Sequence, residues 1–320
     1  MWEGALPPRA HLCMKIRCFA KINLTLDIFS KRADGYHSLA TVMQSIALHD
    51  LLALSPSEVP GIHFTCEAPD QIDVPADSSN LVVRAAHLLW ERAAQKGCPL
   101  PSGLLLHLRK RVPSQAGLGG GSSDAAATLW AMQHFFRLSL SPQELLECAQ
   151  ALGSDVPFFL LGGTVVARGR GEQLTPLPDI PPFWLVIVKP DIGISTKWAY
   201  EALDARPDRR SHRATKRMEE AILHGDFERV MAFQCNDFEQ VVFEAYPQLA
   251  WLADEIRMAG ALQTHLCGSG SALYGVFSDQ RAALHGAELL GKRYSHVYVT
   301  HTLTRERFQQ LRLAEEECSL

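Results

Sequence analysis

VPSQAGLGGGSSDAAATLWAMQHFF, residues 112–136, joins a strand-like run to a helix-like one. Before it, Leu104, Leu106 and Leu108 alternate with Leu105, His107 and Arg109, which predicts a strand over 104–112. After the glycines, Ala125, Leu129, Met132 and Phe136 recur at helical spacing, which predicts a helix opening near Ser122 or Ser123. In between stand Gly117, Gly119, Gly120 and Gly121, four glycines in five positions. They free the backbone to curl and let a ligand approach the main chain closely. The helix start adds unpaired N–H groups and the positive end of its dipole. Together these describe an anion site, most naturally for phosphate. A plain flexible turn is the simpler alternative, but a strand–helix turn rarely needs four glycines. No Lys follows the glycines, which excludes a Walker A loop, and Ser122 stands where G-x-G-x-x-G needs its third glycine.

Outward from this loop, strands and helices mix without strict alternation, an α+β pattern. Ile16, Cys18, Ala20, Ile22, Leu24, Leu26 and Ile28 are all apolar, and Lys21, Asn23, Thr25 and Asp27 fall between them. That predicts a long half-buried strand with Lys21 and Asn23 side by side on its polar face. Asp34-Gly35 marks a turn. Strands are expected near 45–54, 61–66, 163–168, 183–188 and 296–300, and helices near 80–95 and 280–290. Ser141-Pro142-Gln143-Glu144 has the form of a capping box with Pro at the first helical position, and Gly153 ends that helix. Asp155-Val156-Pro157 resembles another helix start. The segment 211–259 reads as helical, and the Pro-rich bend 176–182 is a candidate border. The domains expected are 14–165 and 166–320, with Met1–Cys13 a loose tail.

Composition narrows the function. Of 320 residues, 47% are apolar and 21% charged, a globular balance. Lys and Arg number 31 against 35 Asp and Glu, so the net charge is -4 and no basic excess invites nucleic acid. No apolar run is long enough to span a membrane. The 8 cysteines are scattered and read as free thiols in a reducing cytosol. Neither they nor the histidines show metal-ligand spacing. Lys21 and Asp155 are ionisable residues in apolar settings; each reads as a structural ion pair or helix cap, or as a catalytic group. Tyr36 and His37 follow the turn at Gly35 and read as a lid over the core, or as a stacking face for a base. Gly268-Ser269-Gly270-Ser271 is a second Gly/Ser segment. Alone it reads as a tight loop, but paired with the first it could line a phosphate cleft.

Together these motifs resemble the GHMP kinase family, named for galactokinase, homoserine kinase, mevalonate kinase and phosphomevalonate kinase. Its P-x-x-x-G-L-G loop is matched by Pro113-Ser114-Gln115-Ala116-Gly117-Leu118-Gly119, continuing through Gly120, Gly121, Ser122 and Ser123. AKINLTLDI at 20–28, KRADGYHSL at 31–39, GSDVPFF at 153–159, ARGRGE at 167–172 and CGSGSALYGVF at 267–277 extend the likeness from Met14 to about Thr302. The resemblance implies a two-domain fold, the first domain like ribosomal protein S5 domain 2 and the second ferredoxin-like, with the site between them. It implies ATP as phosphoryl donor with Mg²⁺, a catalytic pair Lys21 and Asp155, and an ATP phosphate loop over Pro113–Ser123. Within the family, the three glycines before Ser122 and the KRADGYH segment imply phosphorylation of the tertiary 2-hydroxyl of 4-diphosphocytidyl-2-C-methyl-D-erythritol, a step of the non-mevalonate isoprenoid route. Another small-molecule kinase of the family, acting on homoserine or mevalonate, is the alternative. Asn23 then matches a residue at the methylerythritol end, and Tyr36 and His37 match the cytidine site. Thr196 and Tyr200 match its second wall, with Trp198 as the rival of Tyr200. The place where some relatives carry a metal-binding hydroxyl is Gly121 here, so no metal ligand is assigned. Small-molecule partners and a bacterial cytosolic setting are implied; nucleic acid and membrane are not.

Overall fold

The computed structural model describes residues 13–68, 74–75, 77–207, 211 and 213–314. Residues 1–12 of the expected tail lie outside them. The first half runs β1 (Met14–Lys31), β2 (His37–Ser57), β3 (Gly61–Glu67), α1 (Leu81–Gln95), β4 (Gly103–Arg109), α2 (Gly120–Phe135), α3 (Pro142–Leu152), α4 (Phe158–Leu161), β5 (Thr164–Gly169) and β6 (Gln173–Pro176). The rest runs β7 (Trp184–Val188), α5 (Thr196–Ala205), α6 (Ala214–Leu223), α7 (Phe227–Ala232), β8 (Cys235–Asn236), α8 (Glu239–Ala245), α9 (Pro247–Met258), β9 (Gln263–Leu266), β10 (Leu273–Phe277), α10 (Gln280–Gly291), β11 (Val297–His301) and α11 (Arg305–Leu311). No helix among the described residues is long and apolar enough to cross a membrane.

Two sheets organise these elements. The larger has the order β3-β4-β2-β1-β8, with β5 and β6 continuing from β2. β5 therefore carries the first sheet across the expected border at 165/166. The smaller sheet, β11-β7-β10-β9, is antiparallel throughout. Helices α1, α2 and α3 cover the larger sheet, where Ala85, Leu89, Ala125, Leu129 and Met132 share one core with Leu52, Leu54, Leu106 and Leu108. Helices α8, α9 and α10 cover the smaller sheet, with Val242, Leu252, Ile256 and Ala283 against Val186, Leu266 and Phe277. Between the two sheets a third core joins Ile22, Val42 and Ile46 to Leu185, Ile187, Tyr274 and Val276.

β1 contributes to all three cores. Ile16 and Cys18 belong to the first, Ala20, Ile22 and Leu24 to the middle one, and Leu26 and Ile28 to the last. The pairing with β2 shifts register between Phe19 and Lys21 and again between Asn23 and Thr25. Each such bulge re-aims the side chains beyond it. The expectation of a half-buried strand needs correction, because the polar face is buried too: Lys21, Asn23, Thr25 and Asp27 are each at most 5% exposed. The second half of the chain covers them. Thr25 shares a 2.9 Å hydroxyl–hydroxyl hydrogen bond with Thr215. The Asp27 carboxylate accepts from Ala214 N (3.0 Å) and Thr215 N (2.8 Å), the first N–H groups of α6. Residues so polar survive burial because each finds a partner.

The ends of the described chain also meet on β1. Arg17 N donates to Arg312 O at 2.8 Å, and Ala314 N to Lys15 O at 2.9 Å. Cys13, adjacent to that junction, is disulfide-bonded. The reading of every cysteine as a free thiol is thus overturned there; Cys18, Cys66, Cys98, Cys148, Cys235 and Cys267 are free.

Candidate active site

The glycine loop turns tightly into α2. Gly117 and Gly119 have φ of +74° and +72°, the left-handed region that favours glycine. Gly119 is the N-cap, so α2 opens at Gly120, two to three residues earlier than the apolar spacing predicts. The loop is packed on both sides. A Cβ on Gly119 would lie 2.7 Å from Phe159 Cζ, and one on Gly117 would lie 1.7 Å from Cys267 O. The second contact brings the two Gly/Ser segments together: Ser271 N donates to Gln115 O at 3.3 Å. Burial pushes the Cys267 thiol up to about 12, so it stays neutral beside the loop. Ser123 is buried and its hydroxyl donates to Phe19 O at 2.7 Å, which ties the helix start to β1.

Lys21 reaches the loop from β1. Its backbone N donates to Leu118 O at 3.0 Å. Its ammonium donates to Asn23 Oδ1 at 2.7 Å and lies 3.6 Å from Asp155 Oδ2. The Asn23 amide is itself held, since Nδ2 donates to Thr41 Oγ1 at 2.8 Å and Thr41 donates to Thr25 O at 2.6 Å. Lys21 is buried, whereas the Asp155 side chain is 39% exposed and so opens to the cleft. Asp155 does not cap a helix: the N-cap of α4 is Pro157, without a side-chain cap.

The cleft is lined by Lys21, Asn23, Asp155, Thr196 and Tyr200, by Gly117 and Gly119 of one loop, and by Gly268 and Ser269 of the other. Thr196 and Ser269 share a 2.9 Å hydroxyl–hydroxyl hydrogen bond across it. Tyr200 stacks on His37, with ring centroids 4.7 Å apart and planes 16° from parallel. His37 Nε2 is 2.7 Å from Asp204 Oδ1, one helical turn after Tyr200 on α5. Trp198 instead packs edge-on against Tyr246 and lines a different groove. Tyr36 is 59% exposed, with the Arg170 guanidinium over its ring at 4.8 Å. Pro113 and Ser114 do not line the cleft that holds Lys21.

Periodicity and spacing do not single out Thr41, Arg170, Phe238 or Asp204, which line this cleft or hold the residues that do. Arg170 has a signal: it stands between Gly169 and Gly171, at φ +74° and +107°. Thr41 and Asp204 have none, since their partners are distant in sequence. Beneath the loop lies a further polar cluster. Lys110 Nζ donates to Asp50 Oδ2 (2.5 Å) and Asp124 Oδ2 (2.8 Å), with all three buried. Burial, opposed by Lys110 and reinforced by Asp50, pushes the Asp124 carboxyl up to about 7.

Comparison with known proteins places this architecture. Residues 80–163 match the GHMP kinases N terminal domain and residues 218–296 the GHMP kinases C terminal domain. The 4-diphosphocytidyl-2-C-methyl-D-erythritol kinase of Moorella thermoacetica is 41% identical over 292 residues, covering 91% of this chain and 99% of that protein. That of Pelotomaculum thermopropionicum is 43% identical over 284 residues, covering 88% and 96%. A crystal structure of 4-(cytidine 5'-diphospho)-2C-methyl-D-erythritol kinase superposes with a TM-score of 0.76 at 34% identity, covering 90% of this chain and 99% of that one. Homoserine kinase from Cytophaga hutchinsonii, at 18% identity and a TM-score of 0.69 over 94% of this chain and 98% of its own, shares the fold. With the glycine loop, the two sheets and these relatives in agreement, the chain belongs to the GHMP kinases, in the family of the 4-diphosphocytidyl-2-C-methyl-D-erythritol kinases.

Proposed function

We infer that the chain transfers the γ-phosphoryl group of ATP to the 2-hydroxyl of 4-diphosphocytidyl-2-C-methyl-D-erythritol. The observation that carries this reading is the Lys21–Asp155 pair, 3.6 Å apart in a cleft beside two left-handed glycines. Phosphoryl transfer needs positioning and charge stabilisation more than covalent help. Backbone N–H groups at the start of α2 would hold the nucleotide phosphates, with the loop from Pro113 to Ser123 as their frame. Ser123 serves that frame from within, its hydroxyl being spent on Phe19 O. Asp155, open to the cleft, would accept the proton of the tertiary alcohol. Lys21 would steady charge on the transferring group, with Asn23 fixing its ammonium and facing the polyol.

The aromatic end of the cleft would take the cytosine. Tyr36 is available as a stacking face, and Tyr200, which lines the cleft beside Thr196 and stacks on His37, would be the second ring. Mg²⁺ fits as part of the nucleotide, because Mg²⁺ usually keeps its waters and binds through substrate phosphates plus one or two carboxylates. Among the described residues no cluster of three or more His, Cys, Asp or Glu could hold a metal by itself, and Asp155 is the one carboxylate lining the cleft. The ion would neutralise charge on the phosphate oxygens. An assay coupled to ADP release tests the reading. ADP is expected with the cytidylyl substrate and not with methylerythritol phosphate, homoserine or mevalonate. Release with one of the latter, and none with the first, overturns it.

A further inference from the structure

Among the described residues, two cations line the cleft, Lys21 and Arg170, and they differ in what already holds them. Lys21 is engaged by Asn23 and Asp155. Arg170 forms no ion pair with any described residue; its guanidinium lies over the Tyr36 ring at 4.8 Å. Arg168, two residues earlier, is by contrast closed off by Glu219 at 2.5 Å. Asp34 lies within reach of the Arg170 charge, but its carboxylate is taken by Arg32 and by Tyr36 N, both at 3.1 Å.

The backbone fixes where Arg170 stands. It sits at the tip of the β5–β6 hairpin, between two glycines of positive φ. Glu172 Oε2 accepts from Arg170 N at 2.6 Å and braces the turn from behind. Gly171 packs beside Ser154, where an added Cβ would be 3.8 Å from Ser154 Cβ. The tip thus stands between Asp155, which follows Ser154, and Tyr36. A guanidinium held over a ring has no acceptor there for its N–H groups, and its planar fork of donors matches phosphate in bidentate geometry.

We propose that Arg170 binds the diphosphate of the cytidylyl substrate. This rests on the substrate reading above, and the order of groups supports it. The reacting hydroxyl would lie at Lys21 and Asp155, and the base at Tyr36 and Tyr200. The diphosphate joins the two in the molecule as Arg170 stands between the two in the cleft. Arg170 is therefore a specificity determinant against polyols and alcohols that lack the diphosphate.

The test compares CDP with cytidine by calorimetric titration of the full chain, with adenylyl imidodiphosphate and Mg²⁺ saturating the ATP site. Wild type is expected to bind CDP about tenfold more tightly than cytidine, the gain of a charge-assisted phosphate contact at an exposed site. Arg170→Met should erase most of that gap and leave cytidine binding unchanged, while Arg170→Lys should keep part of it. In the coupled assay Arg170→Met should raise KM for the cytidylyl substrate about tenfold, with kcat and the KM for ATP unchanged. Arg170 is exposed at a turn, so the variants should fold as wild type does. An unchanged CDP-to-cytidine ratio in Arg170→Met overturns the proposal alone. An equal loss for both ligands also overturns it, since the arginine would then serve only the ring. Failure of wild type to bind either ligand overturns the substrate reading and this proposal with it.

Discussion

At Lys21 and Asp155 a lysine is buried while its acid faces the cleft, an asymmetry that suits a base fixed from behind. If the two act on one step, their losses should not add. Asp155→Asn keeps shape and removes the proposed base, so kcat should fall about 10²–10⁴-fold with little change in KM. Lys21→Met should cost a similar factor, and the double variant should be little worse than the worse single. Additive losses in steady-state kinetics would separate the two residues. Gly119 shows how far the glycine loop depends on the core. The loop is tied to the core: a Cβ on Gly119 would meet the buried ring of Phe159, and Ala116 and Leu118 are buried. Gly119→Val should therefore lower nucleotide affinity in calorimetry and also lower stability, by about 1–3 kcal/mol for overpacking together with left-handed strain. A full-strength thermal transition beside lost affinity would mean that the loop relaxes more freely than its contacts indicate.

The elements most legible in the sequence are those whose signals are local. Ser141 and Glu144 form the capping box that their spacing predicts, with Ser141 N donating to Glu144 Oε2 at 2.8 Å and Glu144 N to Ser141 Oγ at 3.3 Å. Ser141→Ala should cost about 1 kcal/mol, read as a lower urea midpoint at constant slope. Asn80 likewise caps α1, its Oδ1 accepting from Val82 N at 2.8 Å. β1 is legible as a strand and not as a buried one. Its alternation shows where Lys21 and Asn23 stand, but the partners of Thr25 and Asp27 lie near residue 215. Helix α5 repeats the lesson. Ser195 caps it and its apolar residues suit it, but nothing in KWAYEALD announces that Tyr200 and Asp204 both engage His37. Sequence periodicity resolves an element and the side that an average core would bury. It does not resolve contacts made over long separations, and the end of the cleft at Thr196 and Tyr200 is built mostly from those.

At the scale of the molecule, the buried cluster of Asp50, Lys110 and Asp124 sets a pH response. One ammonium faces two carboxylates, with the Cys18 thiol beside them, itself held well above its usual value by burial. Asp124 titrates near 7 in the folded chain against an ordinary 3.8. The folded state thus binds that proton more tightly than the unfolded state. The stabilisation is complete below the ordinary value and is lost as pH rises from there through about 7. Asp124→Asn should flatten the thermal midpoint across that window, and an unchanged slope would remove Asp124 as its source. The cover over β1 carries one more consequence, for synthesis. The strand emerges early from the ribosome, yet its partners at Thr215, Asn236 and Arg312 emerge far later, Thr215 by 190 residues after Thr25. At about 5–20 residues per second, that is a wait on the order of ten seconds to a minute. During it Lys21, Asn23, Thr25 and Asp27 face water, and because they are polar the nascent strand offers no sticky surface on that side.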